Sequence, residues 1–447
     1  MEGRNKRYAM LLVVAAVFSA VIAGTAGART DSGKAGTLDI YGYGPGDDVQ
    51  ENRATYAAGQ LSGVTIKREA PSFDDQVFLT RLASGDVPDL VRMGRPSLAL
   101  YAAKGVLQPV DQCVASVKGQ YRAGAMKALT YKGHIYGLPE FTNQVTMIVN
   151  TDAFKAAGVP ISAAQTKNLA LLLKTAKKLT KTDSSGNLTR IGFDPKIDSG
   201  FGFPLWVKYF GGDVISKDGL HAQINTKAAQ KALAFTTAVI NAEGGWNKFV
   251  AYRNTFDFFG KGNPLAKDQL GFWPMESFIY NVFANNTPTA GIAAKYFTNQ
   301  KGGPISVFSG NGWAIPKSSG NPTAACDYMK AVTSVDAWVT AGSKRLNARK
   351  AAGQAFTGLY TANAAADKKL YEDIYHVTGG GAQYDEAVKT LVNTSKYGFE
   401  LPPTPAGAQY ANAYNSAVQR VLTGQQSIKA ALAQAQKEAQ AAINANK

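Results

Sequence analysis

The hydrophobic positions of the chain fall into two recurring patterns, short β-branched runs and longer stripes with helical spacing. The β-branched runs predict strands at 37–43, 64–69, 89–91 and 145–149. The stripes predict helices at 73–83, 98–104, 151–156 and 168–179, with Thr151 or Asp152 as the cap of the third. Strands that alternate with helices predict an α/β fold in which helices cover a parallel sheet.

Two of the predicted helices are amphipathic. In the first, leucine and alanine positions lie on one face and four lysines lie on the other: Leu169, Leu172, Leu173 and Ala176 against Lys174, Lys177, Lys178 and Lys181. No aromatic residue is interleaved with these lysines for base stacking, so they predict a solvated helix face rather than a nucleic-acid surface. The second stripe predicts a helix near the end of the chain that packs on the body through Ile428, Leu432, Ala435, Ala439 and Ala442.

The first 28 residues have the organisation of a secretory signal. A basic start with Arg4, Lys6 and Arg7 precedes an uncharged, largely apolar run at 8–28 that ends in Ala-Gly-Ala. Small residues at this position are what signal peptidase requires, so we expect export and cleavage after Ala28. The alternative is a membrane anchor, because the run is about as long as a membrane span.

The composition predicts a large folded body with a positive charge. Hydrophobic residues make up 45% of the 447 residues and charged residues 18%, a ratio typical of chains that bury sizeable cores. This length predicts about two to three domains of roughly 100–200 residues each. The formal net charge is +16, and the predicted signal contributes little of it. Such a charge is compatible with nucleic acid, an anionic ligand or an anionic envelope in the surroundings.

Few residues are of the types that build metal, redox or covalent centres. The chain has two cysteines, which excludes a disulfide-rich scaffold, and its three histidines have no acid or cysteine at ligand spacing. It contains no P-loop, HExxH, GxSxG or CxxC motif, and its glycine-rich segment at 42–46 lacks the dinucleotide-binding spacing. We therefore expect no metal and no cofactor. After export, Cys113 and Cys326 either form one disulfide or remain two buried thiols, and the sequence leaves both open.

Several acidic residues make a glycan hydrolase an alternative function. Glu140, Glu276 and the neighbours Asp47 and Asp48 are candidates for the two carboxylates that cleave a glycosidic bond. The distance between the carboxylates decides that chemistry, and the sequence does not give it. A secreted glycan hydrolase is therefore an alternative to a protein that only binds.

Several segments, taken in chain order, resemble one family. Residues 75–110 read DQVFLTRLASGDVPDLVRMGRPSLALYAAKGVLQPV. The further segments are YKGHIYGLP at 131–139, IVNTDAF at 148–154, FGGD at 210–213, GFW at 271–273, and SGNGWAIP at 309–316 followed by NPTAA. This series, which covers most of 37–345, resembles the extracellular solute-binding proteins of ABC importers, in the sugar-binding family that includes maltose-binding protein.

The resemblance implies an α/β, two-lobed periplasmic-binding-protein fold with discontinuous lobes joined by crossover strands. The crossovers are expected at about 144–149, 305–312 and 344–349. Lobe one then takes 37–146 plus 307–346, and lobe two takes 149–305 plus 347–447. This division places Cys113 and Cys326 in the same lobe, which favours a disulfide between them.

The resemblance also implies a ligand cleft between the lobes, formed by loops at the carboxyl ends of strands. A sugar presents flat apolar faces and a rim of hydroxyls, so it is held by aromatic platforms together with amides, carboxylates and arginines. The ligand-binding candidates are Tyr43, Asp47, Gly94, Arg95, Glu140, Asn143, Trp206, Trp273, Glu276 and Trp313. A turn or cap is the alternative role for Tyr43 and Asp47. Core packing is the alternative for Trp206 and Trp273, and packing at the hinge is the alternative for Trp313.

Together these features predict an exported binding protein, not an enzyme, that captures a mono- or oligosaccharide and delivers it to the permease of an ABC transporter. We expect a monomer in the periplasm or cell envelope, with no nucleic-acid partner. A protein of the same fold that binds a non-sugar or acidic solute is a further alternative. Two departures from the family stand out: no lipid-anchor cysteine follows the apolar run, and 357–403 matches no family segment.

Overall fold

The computed structural model describes residues 36–377 and 379–447, and the predicted signal at 1–28 lies outside the described residues. The strands are β1 Thr37–Tyr41, β2 Thr65–Glu69, β3 Leu90–Gly94, β4 Thr130–Tyr131, β5 His134–Ile135, β6 Leu138–Pro139, β7 Asn143–Asn150, β8 Lys181–Thr182, β9 Leu188–Phe193, β10 Leu270–Glu276, β11 Ile292–Lys295, β12 Ser306–Ser309, β13 Asn311–Ala314 and β14 Gly398–Phe399. The α-helices are α1 Asp48–Gly59, α2 Asp75–Ser84, α3 Arg95–Ala103, α4 Asp111–Val114, α5 Ala123–Ala128, α6 Thr151–Ala156, α7 Leu169–Leu179, α8 Gly202–Tyr209, α9 Lys227–Ala242, α10 Trp246–Arg253, α11 Ile279–Asn286, α12 Pro322–Val332, α13 Val335–Ala351, α14 Ala364–Lys369, α15 Ala382–Thr394, α16 Ala408–Leu422 and α17 Ile428–Ala445. A π-helical turn, Leu370–Ile374, continues α14.

The first sheet has the strand order β2-β1-β3-β13-β6. Its strand β1 pairs in parallel with β2 and with β3, which confirms the predicted parallel sheet for these three strands. The strands β13 and β6 are antiparallel additions on the β3 side. They run differently because β13 enters this sheet directly from the other one, without the helical crossover that parallel neighbours need.

The second sheet has the order β14-β12-β7-β10-β9-β8, and β11 also pairs with β7. The predicted strand at 145–149 is confirmed as the middle of β7, the strand that β10, β11 and β12 all flank in antiparallel register. Its apolar residues Val145, Met147, Ile148 and Val149 are all buried. A strand buried on both faces has a continuous apolar run, which is why this segment has no polar alternation.

Two crossovers join the sheets. The chain leaves the first sheet after β6 and enters the second at β7, so the crossing lies at 140–142, just before the predicted 144–149. It returns between β12 and β13 at Gly310, inside the predicted 305–312. A Cβ atom at Gly310 would collide with the carbonyl oxygen of Phe141 and with the guanidinium of Arg95. The two crossovers therefore pack against each other at a position that only glycine fits.

The predicted third crossover at 344–349 is wrong, because α13 is continuous through it. The segment has no β-branched run to support a strand, and α13 packs along α1 instead. After α13, Phe356, Leu359, Ala366 and Leu370 pack with Val49 and Trp338, while Ala355 contacts the core of the second sheet. From Tyr384 onward the chain packs on that second core. We therefore propose a lobe one of 36–139 plus 311–374 and a lobe two of 143–309 plus 382–447.

The cores follow the sheets. The largest cluster covers the second sheet with helices such as α7, α8, α9, α16 and α17, and two smaller clusters lie on opposite faces of the first sheet. Cys113 of α4 and Cys326 of α12 form a disulfide, with their Cα atoms 6.1 Å apart. This bond resolves the alternative that the sequence left open, and it ties two helices that pack on the first sheet.

Most predicted helices are present, with shifted starts. The helix predicted at 98–104 begins earlier, at Arg95, because Gly94 ends β3 directly and Pro96 occupies the first turn. The predicted caps Thr151 and Asp152 are wrong: the side chain of Asn150 caps α6 by accepting the N–H of Ala153 at 3.0 Å. The lysine face of α7 is exposed as predicted, while its leucine and alanine stripe packs on the core.

Candidate functional site

A cavity of about 590 Å³, which we call the main cavity, lies between the two lobes beside both crossovers. Its lining comes from the β3–α3 junction, the two crossovers, the loop after β9, the end of β10, and the segment 400–414. Loops at the ends of β3 and β10 do supply lining residues, as expected for α/β sheets. Four of the predicted residues are brought together here: Gly94, Arg95, Asn143 and Glu276.

Arg95 lies at the floor of the main cavity and is buried. Its guanidinium donates to both carboxylate oxygens of Glu400, at 2.9 and 3.2 Å, and to the carbonyl oxygen of Phe141 at 2.8 Å. Burial raises the pKa of the Glu400 carboxyl, and the charge of Arg95 opposes that rise. Arg95, the first residue of α3, therefore bonds both to the first crossover, at Phe141, and to Glu400 of the second lobe.

Glu276, Asn143 and Ser309 form a polar edge of the main cavity. The carboxylate of Glu276 accepts a hydrogen bond from the Ser309 hydroxyl at 2.7 Å, and Asn143 lies opposite Ser309 in the pairing of β7 with β12. Burial raises the pKa of the Glu276 carboxyl, whereas the hydrogen bonds from Ser309 and Asn143 oppose the rise. A carboxylate, an amide and a hydroxyl at one edge are suited to binding the hydroxyl groups of a ligand.

The loop 194–201 after β9 lines the opposite part of the main cavity and is held by side chains from elsewhere in lobe two. The indole N–H of Trp206 donates to the carbonyl oxygen of Pro195 at 2.8 Å. The guanidinium of Arg253 donates to the carboxylate of Asp198 at 2.9 Å. These bonds fix the loop in one conformation, so its cavity-facing groups are positioned before a ligand arrives.

Five aromatic side chains line the main cavity: Phe141, Phe201, Phe308, Tyr410 and Tyr414. Tyr410 and Tyr414 are one turn apart on α16, with ring centroids 5.7 Å apart. Phe201 and Phe308 are half-buried, so part of each ring faces the cavity. Aromatic surface beside polar groups is the combination that holds a ring with one apolar face and a polar rim.

A second cavity of about 450 Å³, the side cavity, adjoins the main cavity at Phe141 and Asn143. It contains the predicted residue Glu140, which forms ion pairs with Arg53 and Arg92. Burial alone would raise the pKa of Glu140, but the two guanidinium groups outweigh burial and hold it below its ordinary value. The carboxylate is therefore fully engaged by cations of the protein.

Asp47 also lines the side cavity, and it has two structural partners. Its carboxylate accepts the N–H of Gln50 at 2.9 Å, which makes it the cap of α1, and it accepts from Arg345 at 2.8 Å. The capping role that the sequence left as the alternative is thus present. The side cavity is consequently rich in charge, with each charged group paired inside the protein.

The remaining predicted ligand residues are Tyr43, Trp206, Trp273 and Trp313, and the structure places none of them on the lining of the main or the side cavity. All four side chains are fully buried. The ring of Trp273 is covered by Phe258, and Trp313 packs edge-on against Tyr43 with centroids 4.6 Å apart. An aromatic residue belongs to the core when other side chains cover both faces of its ring. The sequence does not show which side chains those are, so it could not place these four residues in the core.

Sequence reasoning missed two parts of the lining, 196–201 and 400–414. The first follows a strand, β9, so the strand-end rule applied to it would have found Lys196 and Ser199. The second lies partly in the stretch without a family match, where the only signal was the pair of tyrosines at helical spacing, Tyr410 and Tyr414.

Over residues 36–377 and 379–447, no group of three or more histidine, cysteine, aspartate or glutamate side chains is arranged to hold a metal ion. None of the helices in that part of the chain combines the length and apolarity that a membrane span requires.

The fold and the cleft are matched by one protein family. The profile of the family described as Bacterial extracellular solute-binding protein matches residues 63–337, more than half of the chain. The chain belongs to this family. Curated proteins give no match to the sequence.

Solved structures of such solute-binding proteins share the fold over nearly the whole chain. CpMnBP1 with mannobiose bound is 23% identical, with a TM-score of 0.71 over 90% of this chain and 100% of that one. The substrate-binding protein Lmo0181 of Listeria monocytogenes in complex with cycloalternan is 18% identical, with a TM-score of 0.72 over 91% and 99%. The maltodextrin-binding domain MalE of Bdellovibrio bacteriovorus bound to maltotriose is 17% identical, with a TM-score of 0.69 over 91% and 100%. At these identities the likeness shows the two-lobed fold.

Proposed function

We propose that this solute-binding protein captures a carbohydrate in the main cavity and delivers it to the permease of an ABC transporter. The observation that carries the proposal is the lining itself, in which both lobes contribute. Glu276 and Asn143 offer acceptors and donors for hydroxyl pairs, while the half-buried rings of Phe201 and Phe308 offer apolar surface. Similar proteins whose structures contain mannobiose, cycloalternan or maltotriose support the same class of ligand.

Capture works by closure of the lobes on the ligand. Both lobes line the cavity, so a bound sugar contacts both and favours the closed arrangement by the difference in its affinity for the two states. The glycine at the second crossover and the close packing of the two crossovers mark where the chain turns from one lobe to the other. The permease then recognises the closed pair of lobes.

Location and assembly follow from the same proposal. The family consists of extracellular proteins, and the predicted signal at 1–28 would direct export to the periplasm or cell envelope. We propose a monomer, since one chain supplies both walls of the cavity. The positive charge then suits an anionic envelope, and no nucleic-acid partner is required.

The geometry favours binding over hydrolysis. A glycosidase needs one carboxylate as an acid and a second that is free to act as base or nucleophile. Glu276 lines the main cavity, whereas Glu140 lines the side cavity and is engaged by Arg53 and Arg92. Glu276 and Glu140 therefore do not face one shared substrate position. Asp47 shares the side cavity with Glu140, but its carboxylate is bonded to Arg345 and to the N–H of Gln50.

A thermal-shift screen of neutral sugars, polyols and sugar acids tests the proposal. A sugar present at 100 times its Kd is expected to add about 2.7 kcal/mol to the free energy of unfolding. Chromatography of the same mixtures is expected to show no cleavage products, and the affinity for a neutral sugar should hardly change with salt. Cleavage products would support the hydrolase, and a shift by sugar acids alone would support the acidic-solute alternative. Binding that collapses as salt rises would indicate polyanion binding.

A further inference from the structure

Phe259 is the most exposed large hydrophobic side chain in the described part of the chain, with 65% of its surface accessible. It lies between α10 and β10, at the edge of lobe two. Its ring stacks on Phe278, with centroids 6.1 Å apart and planes 16° apart. Phe278 in turn lines the side cavity. The exposed ring therefore continues an aromatic surface that begins inside the cleft.

The exposure of Phe259 is fixed by hydrogen bonds around it. The carboxylate of Asp257 accepts the N–H of Gly260 at 2.9 Å and that of Gly262 at 3.0 Å, which folds the segment into a tight loop. The side-chain amide of Asn286, at the end of α11, donates to the carbonyl oxygen of Phe259 at 2.9 Å. An apolar ring that is held in water by its own loop is unfavourable for the free protein, which points to a partner that covers it.

The surroundings of the ring indicate what kind of partner fits. The side cavity that Phe278 lines is also lined by Asn281 of α11, and by Gln50 of α1, whose amide donates to the carbonyl oxygen of Gly44. An aromatic face next to amide groups matches the apolar face and hydroxyl rim of a sugar ring. Asn143 lines both cavities, so a sugar that extends from the main cavity past Asn143 would reach the side cavity, where Phe278 is a lining residue.

We propose that Phe278 and Phe259 form a rim subsite that stacks a distal sugar ring, and that the ligand is an oligosaccharide rather than a monosaccharide. This inference rests on the proposed function, because it extends the carbohydrate site outward from the main cavity. Phe278 holds a ring at the mouth of the side cavity, and Phe259 covers its neighbour at the rim.

Isothermal titration calorimetry with sugars of increasing length tests the subsite. The ligands are mannose, mannobiose, mannotriose and mannotetraose, and the glucose, maltose, maltotriose and maltotetraose series. The proteins are wild type, Phe259→Ala, Phe259→Tyr and the control Val77→Ala, which removes another exposed apolar side chain, on α2 of lobe one. Wild type should bind the longer sugars more tightly than the monosaccharide. Phe259→Ala should weaken the longest bound sugar roughly five- to tenfold and the shortest less than twofold.

The control variants separate stacking from other effects. Phe259→Tyr keeps the ring and should retain the wild-type affinities, and Val77→Ala should match wild type for every sugar. If Phe259→Ala leaves affinity unchanged at every length, or lowers it equally at every length, the rim subsite is wrong while the carbohydrate function stands. Unchanged affinity together with reduced uptake in cells would also overturn it and assign Phe259 to permease docking. If wild type binds no sugar of either series, the rim subsite is wrong. The proposed carbohydrate function is then decided separately, by the thermal-shift screen of sugars, polyols and sugar acids.

Discussion

Arg95 and Glu400 form a bidentate ion pair across the interlobe cleft. The guanidinium of Arg95, at the start of α3, donates at 2.9 and 3.2 Å to the carboxylate of Glu400, which directly follows β14 of the second sheet. Both side chains are nearly inaccessible, at 3% and 8% of their surface. Charges buried to this extent depend on each other, since neither has water as a substitute partner. The pair therefore links the stability of the fold to contact between the lobes beside the ligand cavity.

Removing one partner of this pair should destabilise the protein more than removing both. Glu400→Ala leaves the Arg95 guanidinium buried with carbonyl partners alone, and the expected loss of unfolding free energy is about 3–5 kcal/mol. Urea unfolding of wild type, Arg95→Ala, Glu400→Ala and the double variant forms a complete cycle. We expect the double variant to lose less unfolding free energy than Glu400→Ala alone, and therefore less than the sum of the single losses. Additive losses would show that the two side chains do not interact in solution.

Acid should weaken the protein through Glu140. Arg92 and Arg53 outweigh the effect of burial and hold the pKa of Glu140 below its ordinary value of 4.5. The unfolded chain then binds the proton more readily, so stability is present above the ordinary carboxyl pKa and is lost as the pH falls below it. Glu140→Gln should flatten the dependence of unfolding free energy on pH between 3 and 6, with the exposed Glu386→Gln as the control. A slope equal to that of wild type would contradict the assignment.

The disulfide should stabilise lobe one. Cys113 and Cys326 are 213 residues apart in sequence, so their bond closes a long loop in the unfolded chain. Loss of such a bond typically removes about 2–5 kcal/mol of unfolding free energy. A thiol reductant should lower the thermal midpoint of wild type and leave the Cys113→Ser/Cys326→Ser double variant unchanged. Equal response of both proteins would mean that the bond is absent in solution.

The buried tryptophans Trp206 and Trp273 differ in the hydrogen bonding of their indole N–H groups, and substitution by phenylalanine should affect stability differently at the two positions. The indole N–H of Trp206 donates to Pro195, whereas that of Trp273 has no hydrogen-bond partner among the described residues. Both substitutions to phenylalanine lose similar packing, but only Trp206→Phe leaves the carbonyl oxygen of Pro195 buried without a hydrogen-bond donor. An unpaired buried carbonyl costs about 1–3 kcal/mol of unfolding free energy. We expect Trp206→Phe to be the more destabilising in urea unfolding and to weaken sugar binding, because Pro195 lies in the loop 194–201. Equal effects would show that the bond to Pro195 is unimportant.

The sequence predicted the fold well where patterns are local. The β-branched runs and leucine stripes identify β1, β2, β7 and α7, and the ordered family segments predict two lobes. The third crossover failed because α13 contains no signal that distinguishes a helix within one lobe from a link between lobes. Packing of α13 against α1, a contact between distant parts of the chain, decides that point.

Part of the lining of the main cavity could be predicted from the sequence, for a physical reason. Polar residues at strand ends, such as Arg95, Asn143 and Glu276, reach the cleft because strand ends meet at one edge of a sheet. Trp273 and Trp313 lie in the core instead of on a cavity lining. The sequence did not distinguish the two positions, because an aromatic residue packs equally well in a core and against a ligand. The sequence could not predict the position of Glu400 on the cavity lining, because that position depends on its bond to Arg95, about 300 residues away.

The most direct test of the central claim is calorimetric titration of Glu276→Ala with the sugar that wild type binds. The Glu276 carboxylate lies at the polar edge of the main cavity, where we expect it to accept hydrogen bonds from ligand hydroxyls. Loss of hydrogen bonds to a charged group predicts a Kd raised at least about tenfold. The thermal midpoint of the free protein should not fall much, because burial disfavours this carboxylate. The exposed variant Glu386→Ala should bind as wild type does. A Kd for Glu276→Ala equal to that of wild type would contradict the placement of the ligand in the main cavity.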